Sequence, residues 1–100
     1  MKTENSKILL HMTLEKITTA FKKNSCTKVS SHEHTTQAKI FIDGFVLHVT
    51  RSFCVSTSFY MLAFSGPGCS LPELKTFEEG ISQKDLERLL APWIRRVQCR

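Results

Sequence analysis

Two histidines and a nearby cysteine are the residues of this chain whose types and spacing come closest to a metal site. His32 and His34 are two residues apart, so on an extended strand both imidazoles lie on one face and could reach one zinc ion with Cys26. The closely spaced ligand pairs that are typical of zinc sites are absent from the sequence, and Glu33 does not help a tetrahedral site. We interpret this segment as a polar surface loop and expect no metal and no cofactor.

A cysteine and a histidine could also serve as a nucleophile and its base. Cys54 and His48 could take these roles, with Asp43 or Glu33 orienting the imidazole. Nothing in the sequence places Cys54 at a helix N-terminus after a tight glycine turn, an arrangement that activates a thiol. The glycine-rich segment SGPGCS, residues 65–70, lacks the lysine and the following serine or threonine of a phosphate-binding loop. We therefore expect no catalytic residue, no small-molecule substrate and no enzymatic activity.

The segment KIFIDGFVLHV, residues 39–49, predicts a hairpin that positions some of these side chains. Asp43-Gly44 between two apolar runs is typical of a two-residue turn. Side chains alternate between the two faces of a strand, so one face of the hairpin is apolar throughout and is predicted to be core. Its residues are Ile40, Ile42, Phe45, Leu47 and Val49.

The other face of this hairpin carries Phe41 and Val46 as cross-strand neighbours, with His48 beside Lys39. The apolar run FYMLAF, residues 59–64, is typical of a strand buried on both faces, and it would add one of its first two aromatic residues to this second face. A contiguous apolar patch on a small domain usually marks a protein contact. The predicted protein-binding residues are Phe41, Val46, His48 and Tyr60.

An N-terminal helix is predicted over Lys7–Lys23, because apolar residues recur there at the helical period. Asn5 or Ser6 is the expected N-cap. Residues 1–6 are expected to be flexible. The polar segment 24–37 is expected to form a loop that could include the start of a strand.

The last helix has the clearest signal in the chain. Ser82 is the expected N-cap, with Asp85 three residues later, and six apolar residues share one stripe within residues 86–97. Trp93 lies in the middle of the stripe and is predicted to be buried in the core. Pro92 is predicted to kink the helix or to split it.

These elements predict an α+β fold in a single domain of residues 1–100. Its order is an N-terminal helix, a three-stranded antiparallel meander, a short helix and a C-terminal amphipathic helix packed on the sheet. The strands are predicted over Ala38–Asp43, Phe45 to about Phe53, and about Val55–Ser65. The short helix is predicted over residues 70–80, with Ser70 as its cap and Gly80 as its end. Either both main helices cover one face of the sheet, or one of them covers the second face.

Composition narrows the class of protein. The apolar share of 41% is ordinary for a folded domain, and no apolar run reaches the ~18 residues of a membrane span. The N-terminal residues resemble neither a signal peptide nor a transit peptide. The four cysteines show no C-x-x-C pair, so free, reduced thiols in a cytoplasmic or nuclear protein are the expectation.

Basic residues suggest an alternative class of partner. The formal net charge is +5, and the basic side chains cluster in residues 16–31 and 88–100. Lys84, Arg88 and Arg95, with Arg96, are predicted to form a basic ridge along the last helix that could bind nucleic acid, assisted by aromatic side chains of the sheet. No RNA-recognition motif is present in the sequence.

The expected function is that of a small, non-enzymatic intracellular protein-binding module. It would act by occupying a partner's surface, as an adaptor, a chaperone-like protein, or an inhibitor or regulator of the kind that phages and viruses encode. A partner protein, a second copy of the chain in a homodimer, or both would cover the second face of the sheet. An RNA- or DNA-binding protein is the alternative.

Overall fold

In the order of the described chain, one helix precedes a series of consecutive strands and a second helix follows them. A computed structural model describes residues 2–25, 28–54 and 56–99, apart from the side chains of residues 2–6, 25 and 54. Within these ranges the fold is α+β, with two helices and one five-stranded antiparallel sheet. The elements in chain order are α1 (Lys2–Ser25), β1 (Val29–Glu33), β2 (Gln37–Ile42), β3 (Phe45–Cys54), β4 (Thr57–Ser65), β5 (Glu73–Glu78) and α2 (Gln83–Gln98).

The sheet is a meander in which β1 to β5 lie side by side in chain order. Its central hairpin confirms the prediction, because Phe41 pairs with Val46 across the turn at Asp43-Gly44. The φ angles of Asp43 and Gly44 are 45° and 89°, and a type I′ turn requires positive φ at both positions. Aspartate tolerates this conformation better than most residues, and glycine adopts it freely. The two-residue turn therefore sets the register of the hairpin.

Both helices pack on one face of the sheet, which we call the inner face. The ring of Trp93 on α2 stacks on Phe64 of β4 with 4.9 Å between centroids, and α1 contributes Leu10, Leu14 and further apolar side chains to the same core. The five hairpin residues predicted to be core are all buried there. The protein is thus a two-layer structure, and neither described helix covers the second face of the sheet.

The predicted count of three strands is wrong, because two further strands form the edges of the sheet. β1 lies within the segment 24–37 that was expected to be a loop, and it pairs with β2. Its exposed Ser30, Ser31 and His32 give it no apolar alternation, which is why the sequence pattern did not reveal it.

The short helix predicted over residues 70–80 is replaced by β5, which pairs with β4. Phe77 enters the core and stacks on Tyr60 with 5.2 Å between ring centroids, while the side chains on either side of Phe77 are more exposed. Pairing with β5 also supplies hydrogen-bond partners to the backbone of β4, which a helix at this place would leave unpaired at a buried edge.

The helix ends differ in how well they were predicted. α1 begins at Lys2, so Asn5 and Ser6 lie inside the helix and neither is its N-cap. In α2 the hydroxyl of Ser82 accepts a hydrogen bond from the backbone N–H of Asp85 at 3.1 Å, which confirms the predicted cap. The helix runs through Pro92 without splitting.

Two further expectations concerned free thiols and membrane-spanning segments. Cys69 and Cys99 are free thiols. Cys26 and the side chain of Cys54 lie outside the described residues. Neither α1 nor α2 is long and apolar enough to cross a membrane.

Candidate protein-binding face

Alternation along the strands places a second set of side chains on the face that points away from the helices, which we call the outer face. The register pairs His48 with Ala63 and Met61 with Thr76, so these side chains share the outer face with Phe41. The apolar side chains of the outer face are Phe41, Val46, Phe59, Met61, Ala63 and Leu74. Phe41, Val46 and His48 thus lie on the second face, as expected, and their role in protein binding stays a prediction.

Three of these apolar side chains are well exposed to solvent. Phe41, Met61 and Leu74 have exposed fractions of 43%, 42% and 64%, and the other three are half-buried by their neighbours in the sheet. In the part of the chain that the structure describes, no helix or strand lies over them. The outer face is therefore an apolar surface that spans β2 to β5.

A row of three nitrogen-bearing side chains crosses the outer face at right angles to the strands. His32 is the cross-strand partner of Lys39, which is in turn the partner of His48, and all three are exposed. Neighbouring strands are about 4.8 Å apart, so the row is about 10 Å long. Along the described strands the outer face carries one carboxylate, that of Glu78 at the far end of β5, opposite Phe59.

Tyr60, which was predicted to belong to the binding surface, is buried on the inner face instead. Its hydroxyl donates a hydrogen bond to the carboxylate of Glu79 at 2.6 Å, and Glu79 also accepts two hydrogen bonds of 3.0 Å from the guanidinium of Arg51. Burial, followed by the hydrogen bond to Glu79, raises the pKa of Tyr60 to about 12. The hydrogen bonds from Arg51 are the main cause of a lowered pKa at Glu79. These groups close one end of the core.

Arg96, which was predicted to be part of the basic ridge, is held by Glu73 of β5. Its guanidinium donates a hydrogen bond to one carboxylate oxygen of Glu73 at 2.7 Å, and the indole N–H of Trp93 donates to the other oxygen at 3.0 Å. The bond from Trp93, followed by that from Arg96, lowers the pKa of Glu73. Glu73 thus connects α2 to the edge of the sheet.

The remaining members of the ridge, Lys84, Arg88 and Arg95, are exposed on α2. Arg88 lies 3.6 Å from the carboxylate of Asp85 in the same helix. Because α2 covers the inner face, these side chains lie on the opposite side of the protein from the aromatic residues of the outer face. The ridge and the sheet aromatics therefore do not form one continuous surface.

Two of the side chains considered for metal binding lie next to each other. The rings of His32 and His34 meet edge to face with 5.0 Å between centroids. Among the described residues, no three His, Cys, Asp or Glu side chains are grouped so that they could hold a metal ion. Cys26, the third proposed ligand, lies outside the described residues.

A groove lies between α1 and β1, away from the outer face. It has a volume of about 430 Å³ and is lined by Lys7, Ile8, His11, Met12 and Glu33. The Nδ1 atom of His11 lies 3.0 Å from the carboxylate of Glu33, and this hydrogen bond is the main cause of a raised pKa at His11. The pair is exposed and links α1 to the edge strand.

Comparison of the chain with protein-family models, with curated proteins and with solved structures gives no match.

Of the three well-exposed apolar residues of the outer face, Met61 and Leu74 were missed from the sequence. Met61 belongs to it because Tyr60 and Leu62 point into the core, and the run FYMLAF contains no polar residue that would show which positions face outward. Leu74 was missed because its segment was predicted to be a helix. The alternation of Leu74, Thr76 and Glu78 with the buried Phe77 was the signal that could have revealed it.

Proposed function

We propose that this protein is a small, non-enzymatic protein-binding module whose binding surface is the outer face of the sheet. The observation that supports the proposal is the apolar surface formed by Phe41, Met61 and Leu74 and their half-buried neighbours, on the face that neither helix covers. Patches of this kind on small domains usually mark a contact with another protein.

The size of the face suits such a contact. Five strands of about six residues present a surface of roughly 24 by 20 Å. This footprint of about 480 Å² is smaller than the about 800 Å² that a standard interface buries on each partner, so an interface of standard size would also include the rim around the outer face. Covering the exposed part of Phe41, Met61 and Leu74 would contribute about 1 kcal/mol for each side chain.

The module would act by occupying a partner's surface, as an adaptor, a chaperone-like protein, or an inhibitor or regulator of the phage or virus type. The free thiols of Cys69 and Cys99 support a reducing compartment, the cytoplasm or the nucleus. The partner is a protein, and a second copy of the chain is one form that it could take.

A selection of random peptides displayed on phage tests the proposal. Two exposed leucines serve as test and control, because one lies on the outer face and the other does not. Leu74 lies on the outer face, whereas Leu71 is 76% exposed in the preceding loop, outside the sheet. Peptides selected on the wild-type protein should lose binding to the Leu74→Ser and Phe41→Ser variants and keep binding to Leu71→Ser. All three variants should unfold within about 0.5 kcal/mol of the wild type, because they alter exposed side chains.

Peptides that bind equally well to the Leu74→Ser and Leu71→Ser variants would contradict the proposal. A salt-sensitive gel shift with single-stranded RNA or duplex DNA, abolished by charge reversal at Arg88 and Arg95, would instead favour the nucleic-acid alternative. Sedimentation of the wild type across a range of concentrations shows whether a second copy occupies the face.

A further inference from the structure

The charges of the outer face restrict what can cover it. His32, Lys39 and His48 form a row from the edge strand to the middle of the face, and no carboxylate among the described residues is paired with Lys39. A partner that covers this face removes the lysine from water, and burying an unpaired charge is strongly unfavourable. A neutral histidine also has one ring N–H to donate, so all three residues can act as hydrogen-bond donors to a carboxylate.

The described residues of a second copy of the chain do not supply that carboxylate when the two sheets pack face to face about a two-fold axis along the strands. Two sheets that pack face to face keep their strands within about 30° of each other. When the two copies are related by a two-fold axis parallel to the strands, Lys39 on β2 faces β4 of the other copy. The outer-face side chains of that strand include Ala63, Met61 and Phe59, and none of them is a carboxylate. The carboxylate of Glu78 lies on β5, at the other end of the strands.

The apolar part of the outer face lies beside the row of donors. Met61, Ala63 and Leu74 occupy β4 and β5, and Phe41 and Val46 lie on the other side of His48. A helix of about 16 residues is about 24 Å long, which matches the width of the sheet. An amphipathic helix laid across the strands could therefore place apolar side chains on this surface and acidic side chains along the row.

We propose that the occupant of the outer face is a segment of a different protein, apolar on one side and bordered by Asp or Glu side chains that pair with Lys39, His32 and His48. This proposal rests on the proposed function and adds the chemistry of the partner. Each carboxylate that pairs with Lys39 forms a charge-assisted hydrogen bond, which is stronger than a neutral one.

The amino-acid composition of the peptides from the same phage selection tests the chemistry of the partner. Selected peptides should combine apolar residues with Asp or Glu. Synthetic copies in which these acids are replaced by Asn or Gln should bind about tenfold to 100-fold more weakly. The Lys39→Glu variant should lose these peptides, whereas Lys22→Glu, an equal change of net charge on the exposed side of α1, should keep them.

The outcomes separate this proposal from the proposed function. Peptides that need Leu74 but contain no acid, or that bind Lys39→Glu as well as the wild type, would overturn the partner chemistry and leave the binding face intact. Peptides that ignore Leu74, or a selection that yields no binder, would overturn both. A wild-type dimer that dissociates on Phe41→Ser substitution would show that a second copy occupies the face, and it would overturn this inference alone.

Discussion

Trp93 and Tyr60 are each the single residue of their type in the chain, so each reports on its own surroundings in a spectroscopic measurement. Both side chains are buried. The indole N–H of Trp93 donates a hydrogen bond to the carboxylate of Glu73, and the hydroxyl of Tyr60 donates one to the carboxylate of Glu79. Each ring therefore packs in the core while its polar end is satisfied at the edge of the core.

Truncation of Trp93 should be among the most destabilising changes in the protein. Trp93→Ala removes the stacking on Phe64 and should lower the free energy of unfolding by about 3–5 kcal/mol. Trp93→Phe keeps an aromatic ring and loses the hydrogen bond to Glu73, so a smaller loss of about 1–2 kcal/mol is expected. Urea unfolding followed by circular dichroism measures both variants. Equal stability of Trp93→Ala and the wild type would contradict a core position.

Tyr60 should ionise far above the usual range for tyrosine. Its pKa is raised on folding from 10.0 to about 12, so the folded state favours the protonated hydroxyl. This contribution to stability is fully present below pH 10 and is lost as the pH rises through about 12. Near-ultraviolet absorbance of tyrosinate follows the titration directly. The chain in concentrated urea is the control, and it should titrate near pH 10.

A tyrosinate signal with a midpoint near pH 10, in protein whose circular dichroism is still native, would contradict the buried hydrogen bond to Glu79.

At the scale of the elements, the cap of α2 can be compared with a cap that was predicted and is not used. Ser82→Ala removes the acceptor for the N–H of Asp85 and should cost about 1 kcal/mol of stability. Ser70→Ala is the matched control, because Ser70 is exposed and the next element after it is the strand β5, so it caps no helix. Urea unfolding should separate the two variants, and equal losses would contradict the capping role of Ser82.

The elements that could be predicted are those with a strong local signal. The hairpin turn at Asp43-Gly44 and the apolar stripe of α2 each follow from a few neighbouring residues, and both are confirmed. β1 and β5 depend on pairing with distant strands. β1 is polar, and β5 follows a serine and a proline that also suit a helix start, so local patterns did not identify either strand.

At the scale of the whole protein, the candidate site depended on which residues of β4 face outward. The sequence correctly placed Phe41, Val46 and His48 on the second face, because the hairpin turn sets their register. The same reasoning could not be extended to Tyr60, since the register of β4 depends on the connection between β3 and β4, whose boundary is not marked by Gly or Pro. An error of one residue there exchanges Tyr60 with Met61.

The strands lie in the sheet in the order in which they occur in the chain, and this has a consequence for synthesis on the ribosome. Each strand can pair with the one made just before it, so the sheet can grow as residues emerge, without waiting for a distant segment. The contacts between α1 and α2 join segments that are far apart in the chain, as in the hydrogen bond that the side-chain amide of Gln83 donates to the Lys16 carbonyl across 67 residues. The part of the inner face that α2 covers therefore stays open until α2 has been made. During that interval the nascent chain exposes apolar surface on both faces of the sheet. Because exposed apolar surface promotes aggregation, the chain most needs protection at this stage.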